Sequence, residues 1–505
     1  MYKISYKQYG MKKGYKIRKK NDLYYDGTSF ESGIVYQPDV YRLVNYLAER
    51  SGAEYIIDIG AGNGEKIAQY IGKNYKIIAI DCAINLKELR ENLPDDSKII
   101  EYDLEKGLPS ISDDILSKSI VVSSDVIEHI VDLKKYLHGI SRISHIAPFV
   151  VISTPDRDRV RGIGDYGPPV NQAHVREWTA SELHWLLKEY KFNNLRTGYT
   201  INTNIHKEKS TIISIAGNHN LSDEFTVNQP KKTVQAIITT FNVADIIEHV
   251  AEHALDQGLD LYFVDNWSND GTHDILKLLQ DKYKERIKIE RYPAKNRSKD
   301  YEWTKLLDRV DSIASKSSYD WIVHYDSDEL RYSPNTKVSI QDAISFVDKL
   351  GYNAIDHTVL DFRPVDDSYT GDKSPTEAFN YYEYGKRPGH FIQLKAWKNP
   401  KRLVGLSVSG GHDIQIDDKK VYPLKFLIKH YPLRTQEQAR RKIFKERIPR
   451  ISKTDKAKGW HDQYNKFNKN SSFLWDSQCL LKYHSVMSHQ ENIVELLSGI
   501  GILDQ

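Results

Sequence analysis

Cysteine is almost absent from this 505-residue chain, which contains only Cys82 and Cys479. Two cysteines so far apart form neither a metal-binding nor a redox motif, so we expect no disulfide framework and a reducing compartment. The chain also lacks a run of about eighteen apolar residues, so the sequence predicts no membrane-spanning helix. No apolar stretch follows the basic residues near its start, so we expect no secretory signal.

A strong excess of charge of either sign is also absent, since the formal net charge is only +3. This small charge does not favour a nucleic-acid partner. The local exception is residues 1–34, whose first twenty positions interleave lysines with tyrosines. This segment is either a solvated tail or a contact for an acidic membrane surface or an anionic glycan. We expect a cytoplasmic protein, with at most peripheral contact at the inner face of the membrane.

The length and composition, with 40% hydrophobic and 28% charged residues, suit two or three globular domains. Apolar strands alternate with helices twice along the chain, which predicts two α/β domains with parallel sheets, over 35–216 and 233–433. A polar linker over 217–232 and a helix-rich appendage over 434–505 complete the division. The predicted strands are Tyr55–Ile59, Lys76–Ile80, Ser119–Ser123, Phe149–Ser153, Val234–Thr239, Asp260–Val264, Ile287–Arg291 and Trp321–Tyr325.

The most informative N-terminal motif is YIIDIGAGNG, in which a buried strand runs into a glycine-rich turn. Glycines at such a turn allow a sharp bend and a close approach of the backbone to a ligand. The next strand ends at Asp81, where a carboxylate can accept hydrogen bonds from ribose hydroxyls. Two more acidic residues follow strands further on, Asp103 in EYDLEKGLP and Asp125 in SSDVIEH. The motif itself contributes Asp58, Gly60, Ala61, Gly62 and Gly64.

This series resembles class I S-adenosylmethionine-dependent methyltransferases over about residues 35–215. The resemblance implies a Rossmann-like fold in which Asp58 and the glycine loop shape the methionine pocket and Asp81 binds the ribose. It also implies that Asp103 meets the adenine amino group beside Leu104, and that Asp125 lies below the donor. The alternative is a dinucleotide-binding Rossmann domain, although its typical G-x-G-x-x-G spacing is absent here.

The methyl acceptor is expected to be a hydroxyl oxygen. The sequence Ser-Asp-Val-Ile after the fourth strand differs from the Asn/Asp-Pro-Pro-aromatic motif that is usual for amino acceptors. A hydroxyl must lose its proton as the new bond forms, and histidine suits that task near neutral pH. His129, which follows the fourth strand, and His174, in NQAHVREWTASEL, are the candidate bases. Either could instead be a structural hydrogen-bonding residue.

The second half of the chain has a different motif. A strand ends in Thr240 and Asn242, and a second strand leads to Asp265 and Asp270. Further along, WIVHYDSDEL ends an apolar strand with Asp326 and Asp328. If both lie on the strand, they project to one face, where two carboxylates suit a divalent cation bound to a diphosphate.

These features resemble type-A glycosyltransferases of the family 2-like branch over about residues 233–433. The resemblance implies a UDP- or GDP-linked sugar donor whose nucleotide lies against Thr240, Asn242, Asp265 and Asp270. It also implies Mn²⁺ or Mg²⁺ on Asp326 and Asp328, with His430 as a further metal or phosphate contact. The base is left open among downstream carboxylates, including Asp356 and Asp361, because an inverting transfer needs a carboxylate near the acceptor hydroxyl.

Together the two halves predict a bifunctional enzyme of surface-polysaccharide biosynthesis that adds a sugar to a glycan or lipid-linked glycan and methylates a hydroxyl. One alternative is a methyltransferase with an inactive, glycan-binding second domain. Another is a non-catalytic scaffold at the membrane surface. The intact glycine loop and the Asp-x-Asp pair favour the enzyme.

Overall fold

The computed structural model describes residues 9–19, 33–162, 164–206, 208, 210–219, 230–335, 337–384, 393–422, 424–460 and 464–483. The chain divides into two compact units, with the boundary between residues 221 and 222. Most of the predicted linker, 220–229, lies outside the described residues, and so does most of the basic segment 1–34. Among the described helices, none combines the length and the apolar character needed to cross a bilayer.

The N-terminal unit is built on one seven-stranded sheet with the order β3-β2-β1-β4-β5-β7-β6. Strands β1 to β5 run parallel, whereas β7 is antiparallel to both β5 and β6. The strands are β1 (Tyr55–Ile59), β2 (Lys76–Asp81), β3 (Lys98–Glu101), β4 (Ser119–Ser124), β5 (Phe149–Pro155), β6 (Arg196–Thr200) and β7 (Thr211–Ala216). The central strands are buried apolar runs, as expected for a parallel sheet covered on both faces.

In the described part of this unit, seven α-helices accompany the sheet, and local sequence fixes several of their ends. Pro38 occupies the first turn of α1, and Thr179 and Glu182 form a capping box at the start of α7. The helices are α1 (Pro38–Ser51), α2 (Glu65–Tyr70), α3 (Leu86–Asn92), α4 (Asp113–Leu116), α5 (Leu133–Ser144), α6 (Arg157–Arg161) and α7 (Ala180–Glu189). This alternation of strands and helices gives the predicted Rossmann-like α/β unit.

The C-terminal unit contains two sheets. The first has six strands in the order β10-β9-β8-β11-β16-β13, of which β8 to β11 run parallel. The second has five strands in the order β12-β17-β14-β15-β18. The strands are β8 (Val234–Thr240), β9 (Asp260–Asp265), β10 (Ile287–Arg291), β11 (Trp321–Asp326), β12 (Glu329–Tyr332), β13 (Ala354–Ile355), β14 (His357–Phe362), β15 (Tyr381–Tyr384), β16 (Ala396–Lys398), β17 (Phe426–His430) and β18 (Leu481–Lys482).

The helices of this unit shorten towards the C-terminus. They are α8 (Ile247–Asp256), α9 (Thr272–Tyr283), α10 (Trp303–Lys316), α11 (Ile340–Lys349), α12 (Pro375–Ala378), α13 (Gln436–Arg440), a π-helix (Arg441–Arg447) and α14 (Lys453–Ala457). In its described part, the segment expected to be a helical appendage holds only short helices and ends in β18, which pairs with β15. Arg434 is fully buried against Asp245, at 2.6 Å from Nε to Oδ2. This segment is therefore an integral part of the C-terminal unit.

Candidate functional site

The carboxyl ends of four parallel strands meet at one edge of the N-terminal sheet. Asp58 lies near the end of β1, Asp81 ends β2, and Asp103 and Asp125 follow β3 and β4. Because the strand order is β3-β2-β1-β4, each of these carboxylates lies next to a neighbour across the sheet. Ligands of open α/β sheets bind at this edge. The fold thus collects the four predicted carboxylates at one edge.

Asp58 is completely buried at that edge. Its Oδ2 accepts a hydrogen bond from the Tyr41 hydroxyl at 2.8 Å, whereas its Oδ1 accepts none from the residues that the structure describes. Burial raises the pKa of Asp58 to about 7, although Tyr41 and the positive charge of Lys66 act in the opposite direction. An orphaned buried carboxylate oxygen is costly for folding and indicates a missing partner, such as a cationic group of a ligand.

We predict that Asp58 makes the unfolding free energy fall as pH rises from about 4 to 7. A carboxyl whose folded pKa exceeds its unfolded value, about 3.9, stabilises the fold only while it is protonated, at about 1.4 kcal/mol per pH unit at most. Asp58→Asn should therefore gain stability relative to the wild type between pH 5 and pH 8, as measured by urea unfolding. If the difference in unfolding free energy between Asp58→Asn and the wild type does not change with pH, the prediction is contradicted.

The glycine loop after β1 has a steric reason for its composition. Gly60 has a φ of 80°, and a Cβ at this position would collide with the side chain of Val126. Gly64, with a φ of 82°, precedes α2, and a Cβ added to it would lie 3.0 Å from the Leu89 side chain. Ala61 between them is buried. The loop therefore needs glycine both for its backbone conformation and for its close packing.

Gly60→Ala is expected to lower the unfolding free energy by about 3 kcal/mol, because it adds a collision to an unfavourable φ. Gly52→Ala is the matched control. Gly52 also has a positive φ, 65°, but no described atom lies within 4 Å of an added Cβ. Gly52→Ala should lower the unfolding free energy by only about 1 kcal/mol. Urea unfolding followed by circular dichroism compares the two, and equal losses would argue against steric restriction at Gly60.

Asp81 connects the glycine loop to β2. Its Oδ2 accepts the Gly62 N–H at 2.7 Å, and its Oδ1 accepts the Cys82 N–H at 2.7 Å and Asn85 Nδ2 at 2.9 Å. Burial raises the pKa of Asp81, and these hydrogen bonds act against the rise. The carboxylate thus fixes the glycine loop, and its role at the ribose hydroxyls stays a prediction. Asp103, by contrast, is exposed and caps a short 3₁₀ turn that contains Leu104.

Asp125 lies in a network that the sequence did not indicate. It has a φ of 56° and accepts a hydrogen bond from Gln37 Nε2. Ser124 and Ser153 both donate to Gln37 Oε1. Gln37, just before α1, is thereby tied to the ends of β4 and β5. Only its position before Pro38, at the start of the first helix, could have drawn attention to it.

The two candidate bases lie side by side. The rings of His129 and His174 are 4.9 Å apart in an edge-to-face arrangement. His129 Nδ1 is 2.9 Å from the Ala173 carbonyl oxygen, and His174 Nδ1 is 2.6 Å from Glu177 Oε1. Burial raises the pKa of the neighbouring Asp125, and nearby positive charge, first that of Lys66, acts against the rise. Both histidines therefore belong to the region at the end of β4.

A cavity of about 910 Å³ lies in the C-terminal unit. It is lined by Thr240 and Asn242 from the end of β8, by Asp326 and Asp328 after β11, and by His430 from β17. The lining also includes three tryptophans and several cationic side chains, among them Trp303, Trp460, Trp475, Lys395, Lys442 and Arg447. Five of the predicted donor-site residues thus share one cavity with aromatic and cationic side chains.

Asp326 and Asp328 do not lie on one strand, as the alternation argument assumed. β11 ends at Asp326, Ser327 and Asp328 form a turn, and β12 begins at Glu329 in the other sheet. Each carboxylate is instead held by a lysine. Lys395 Nζ lies 2.6 Å from Asp326 Oδ2, and Lys442 Nζ lies 2.8 Å from Asp328 Oδ2.

His430 completes this charge cluster. Its Nδ1 lies 2.7 Å from Asp361 Oδ1 and its Nε2 lies 3.6 Å from Asp328 Oδ1. Burial lowers the pKa of His430, but the two carboxylates outweigh it and raise the value to about 10. Both ring nitrogens of His430 therefore face carboxylates, so a cation held by Asp326, Asp328 and His430 would have to displace these ion pairs.

Asp265 and Asp270 are engaged within the protein rather than in the cavity lining. Asp265 is completely buried, accepts the Ser268 N–H at 3.0 Å and pairs with His273. Asp270 accepts hydrogen bonds from the Thr272 N–H and hydroxyl at the start of α9. Both carboxylates hold the loop after β9 in place.

The two named candidates for the glycosyl-transfer base are also ion-paired. Asp356 is 2% exposed and lies 2.7 Å from Lys425 Nζ. Asp361 is bound by His430 and by Arg363, the latter at 3.1 Å. Neither residue is among those that line the cavity. A base must reach the acceptor hydroxyl, so this geometry favours neither of them.

Comparison with known proteins identifies the class of the N-terminal unit. Residues 36–197 match the model of a family described as methyltransferase domain. This part of the chain is therefore a methyltransferase domain, which confirms the predicted class of the N-terminal unit. No curated protein matches the chain.

Several solved structures are similar to parts of the chain. One is human N-acetylserotonin methyltransferase in complex with SAM, at 18% identity and a TM-score of 0.26, covering 36% of this chain and 52% of that one. A SAM-dependent methyltransferase from Aquifex aeolicus has 15% identity and a TM-score of 0.26, covering 38% and 93%. Burkholderia thailandensis 1,6-didemethyltoxoflavin-N1-methyltransferase has 16% identity and a TM-score of 0.28, covering 36% and 80%. This chain thus spans about half the length of the human enzyme.

Proposed function

We propose that the N-terminal unit is an S-adenosylmethionine-dependent O-methyltransferase. The observation that carries the proposal is the set of carboxylates at one sheet edge, with the orphaned Asp58 Oδ1 beside a glycine loop. S-adenosylmethionine would supply the methyl group. Asp58 would accept a hydrogen bond from its ammonium group, Asp81 would bind the ribose hydroxyls, and Asp103 with Leu104 would meet the adenine.

The acceptor would bind at the end of β4, beside Asp125, His129 and His174. A hydroxyl acceptor is favoured because the Ser-Asp-Val-Ile sequence there lacks the amino-acceptor motif. In-line transfer depends mainly on the positioning of the two reactants. The test is isotopic methyl transfer from S-adenosylmethionine to hydroxylated glycans. Incorporation only into amino groups would contradict the proposal.

We propose a second activity, sugar transfer from a nucleotide-sugar donor, for the C-terminal unit. The specific observation is the 910 Å³ cavity, which combines Thr240, Asn242 and the Asp326–Asp328 turn with lysines and tryptophans. Tryptophans suit stacking on bases or sugar rings, and lysines suit phosphate. The product would be a methylated surface glycan made in the cytoplasm, or at the inner face of the membrane on a lipid-linked acceptor.

The diphosphate of the donor would bind Lys395 and Lys442, which now neutralise Asp326 and Asp328. The alternative, Mn²⁺ or Mg²⁺ on the two carboxylates, requires both lysines to release them. A thermal-shift panel of S-adenosylhomocysteine, UDP and GDP, with and without Mn²⁺, separates these cases because selective binding stabilises the fold. Stabilisation by S-adenosylhomocysteine alone would instead favour an inactive second domain, and no stabilisation at all would favour a scaffold.

A further inference from the structure

Three potential metal ligands meet in the N-terminal unit. They are Glu128 and His129, which follow β4, and His174, which lies before α7. One ligand atom from each lies within 4.8 Å of the other two. Glu128 is completely buried and His174 is 8% exposed. Small side-chain rotations would bring all three atoms to the roughly 2.1 Å that a cation requires.

The histidines are oriented as metal ligands usually are. A ligating histidine normally donates its other ring N–H to a carbonyl or a carboxylate, which fixes the tautomer. His129 Nδ1 faces the Ala173 carbonyl at 2.9 Å, and His174 Nδ1 faces Glu177 Oε1 at 2.6 Å. Both acceptors require the proton on Nδ1, and a neutral ring then has its lone pair on Nε2. Asn171 Nδ2 donates to His174 Nε2 at 3.0 Å, which agrees with this tautomer.

Glu128 supplies an independent observation. Its Oε2 accepts the Thr154 hydroxyl at 2.9 Å, whereas its buried Oε1 has no N–H or neutral hydroxyl donor among the described residues and the side chain lies against the Asp125 carboxyl. Burial and the neighbouring Asp125 raise the pKa of Glu128 well above its ordinary range. A buried carboxyl oxygen with no donor carries a large desolvation cost. A cation between Glu128 and the two imidazoles would compensate that cost.

We propose that Glu128, His129 and His174 bind one divalent transition-metal cation. Two imidazole nitrogens and one carboxylate oxygen suit Zn²⁺, Co²⁺ or Mn²⁺, whereas Ca²⁺ and Mg²⁺ prefer oxygen ligands alone. Three protein ligands leave coordination positions for an acceptor hydroxyl. This last role rests on the proposed O-methyltransferase function, and in it the two histidines orient the acceptor rather than take its proton.

The test is metal binding by the full chain after treatment with a chelator and dialysis. Co²⁺ is followed by its visible absorption and Zn²⁺ by calorimetry. We expect one cation whose affinity falls at least about tenfold in Glu128→Gln and in His129→Gln, since even outer-shell changes cost that much. His138→Gln is the matched control, because His138 is exposed on α5. The His138→Gln variant should bind Co²⁺ and Zn²⁺ with the affinity of the wild type.

Asp328→Asn separates this site from any cation in the C-terminal unit and should leave the Co²⁺ spectrum unchanged. If Glu128→Gln does not fold, Glu177→Gln replaces it, and loss of the carboxylate behind His174 should weaken binding about 10- to 100-fold. Absence of Co²⁺ and Zn²⁺ binding, or equal affinity in these variants, would overturn the proposal. Failure of the methyltransferase proposal would show separately, as absence of S-adenosylhomocysteine binding while the cation still binds.

Discussion

Asp81→Ala is expected to reduce the affinity for S-adenosylhomocysteine about 100-fold or more. The carboxylate would bind the ribose hydroxyls, and each hydrogen bond to a charged group contributes about 1.5–3 kcal/mol. It also holds the glycine loop through the Gly62 N–H, at 2.7 Å. The variant therefore loses both the ligand contact and the support of the loop. Two such bonds correspond to a factor of about 100 or more in affinity, which calorimetry measures directly.

Asp103→Ala is the matched control for this experiment. Asp103 follows the neighbouring strand but is exposed and pairs with Lys106 at 3.3 Å. Solvent competes with any contact it makes, so we expect a loss of tenfold or less. Asp81→Asn keeps an acceptor oxygen, so its loss of affinity for S-adenosylhomocysteine should lie between those of Asp81→Ala and Asp103→Ala. Undiminished affinity in a folded Asp81→Ala variant would remove Asp81 from the binding site.

The eight strands that the sequence predicted have close to their predicted bounds, whereas ten further described strands, β3, β6, β7 and β12 to β18, were not predicted. Tyr55–Ile59 and Ile287–Arg291 have the predicted bounds, and the other predicted strands extend at most two residues further. Buried parallel strands are continuous apolar runs that end at acidic residues, glycine or proline, so both their centres and their ends are marked locally. Because these strands run parallel, their carboxyl ends lie at the same edge of the sheet, and the carboxylates that follow them collect there.

Contacts between distant parts of the chain could not be predicted in this way. Lys395 and Lys442 are 69 and 114 residues away from the carboxylates they bind. No local pattern marks such a lysine, because an isolated cation near an apolar segment is usually a solvated surface residue. The Asp-x-Asp pattern was visible, but the chain leaves β11 for a second sheet at this point, so strand alternation did not apply.

Glu128 illustrates a related limit. It stands in the same motif as Asp125 and His129, yet sequence alone gave it no role. Only the fold shows that His174 returns to the end of β4 and that one buried oxygen of Glu128 has no N–H or neutral hydroxyl donor in the part of the chain that the structure describes. A buried polar atom without a partner is a property of the packed structure, and the one-dimensional pattern carries no trace of it.

Asp328→Ala is expected to abolish turnover of the sugar nucleotide. Methyl transfer should remain intact, because Asp328 and the methyltransferase residues belong to different compact units. Burial opposes ionisation of Asp328, but Lys442 and His430 hold its pKa well below the usual range. The residue is therefore a charged member of the cavity lining at neutral pH. Release of labelled UDP or GDP measures the loss, methyl incorporation by the same preparation shows that the N-terminal unit is active, and the thermal unfolding curve compared with that of the wild type checks that the C-terminal unit is folded.

Lys442→Met then distinguishes the two models of diphosphate binding. If lysines bind the diphosphate, this variant should lose at least about tenfold in UDP or GDP affinity, and a chelator should change nothing. If a metal does so, Lys442→Met frees Asp328 for the cation, and affinity should persist with Mn²⁺ and disappear with chelator. Lys466→Met is the control, since Lys466 lines the same cavity but lies over the Phe467 ring, 5.2 Å from its centroid. Turnover that survives in Asp328→Ala would exclude the metal model, because this variant removes one of the two carboxylates that would hold the cation.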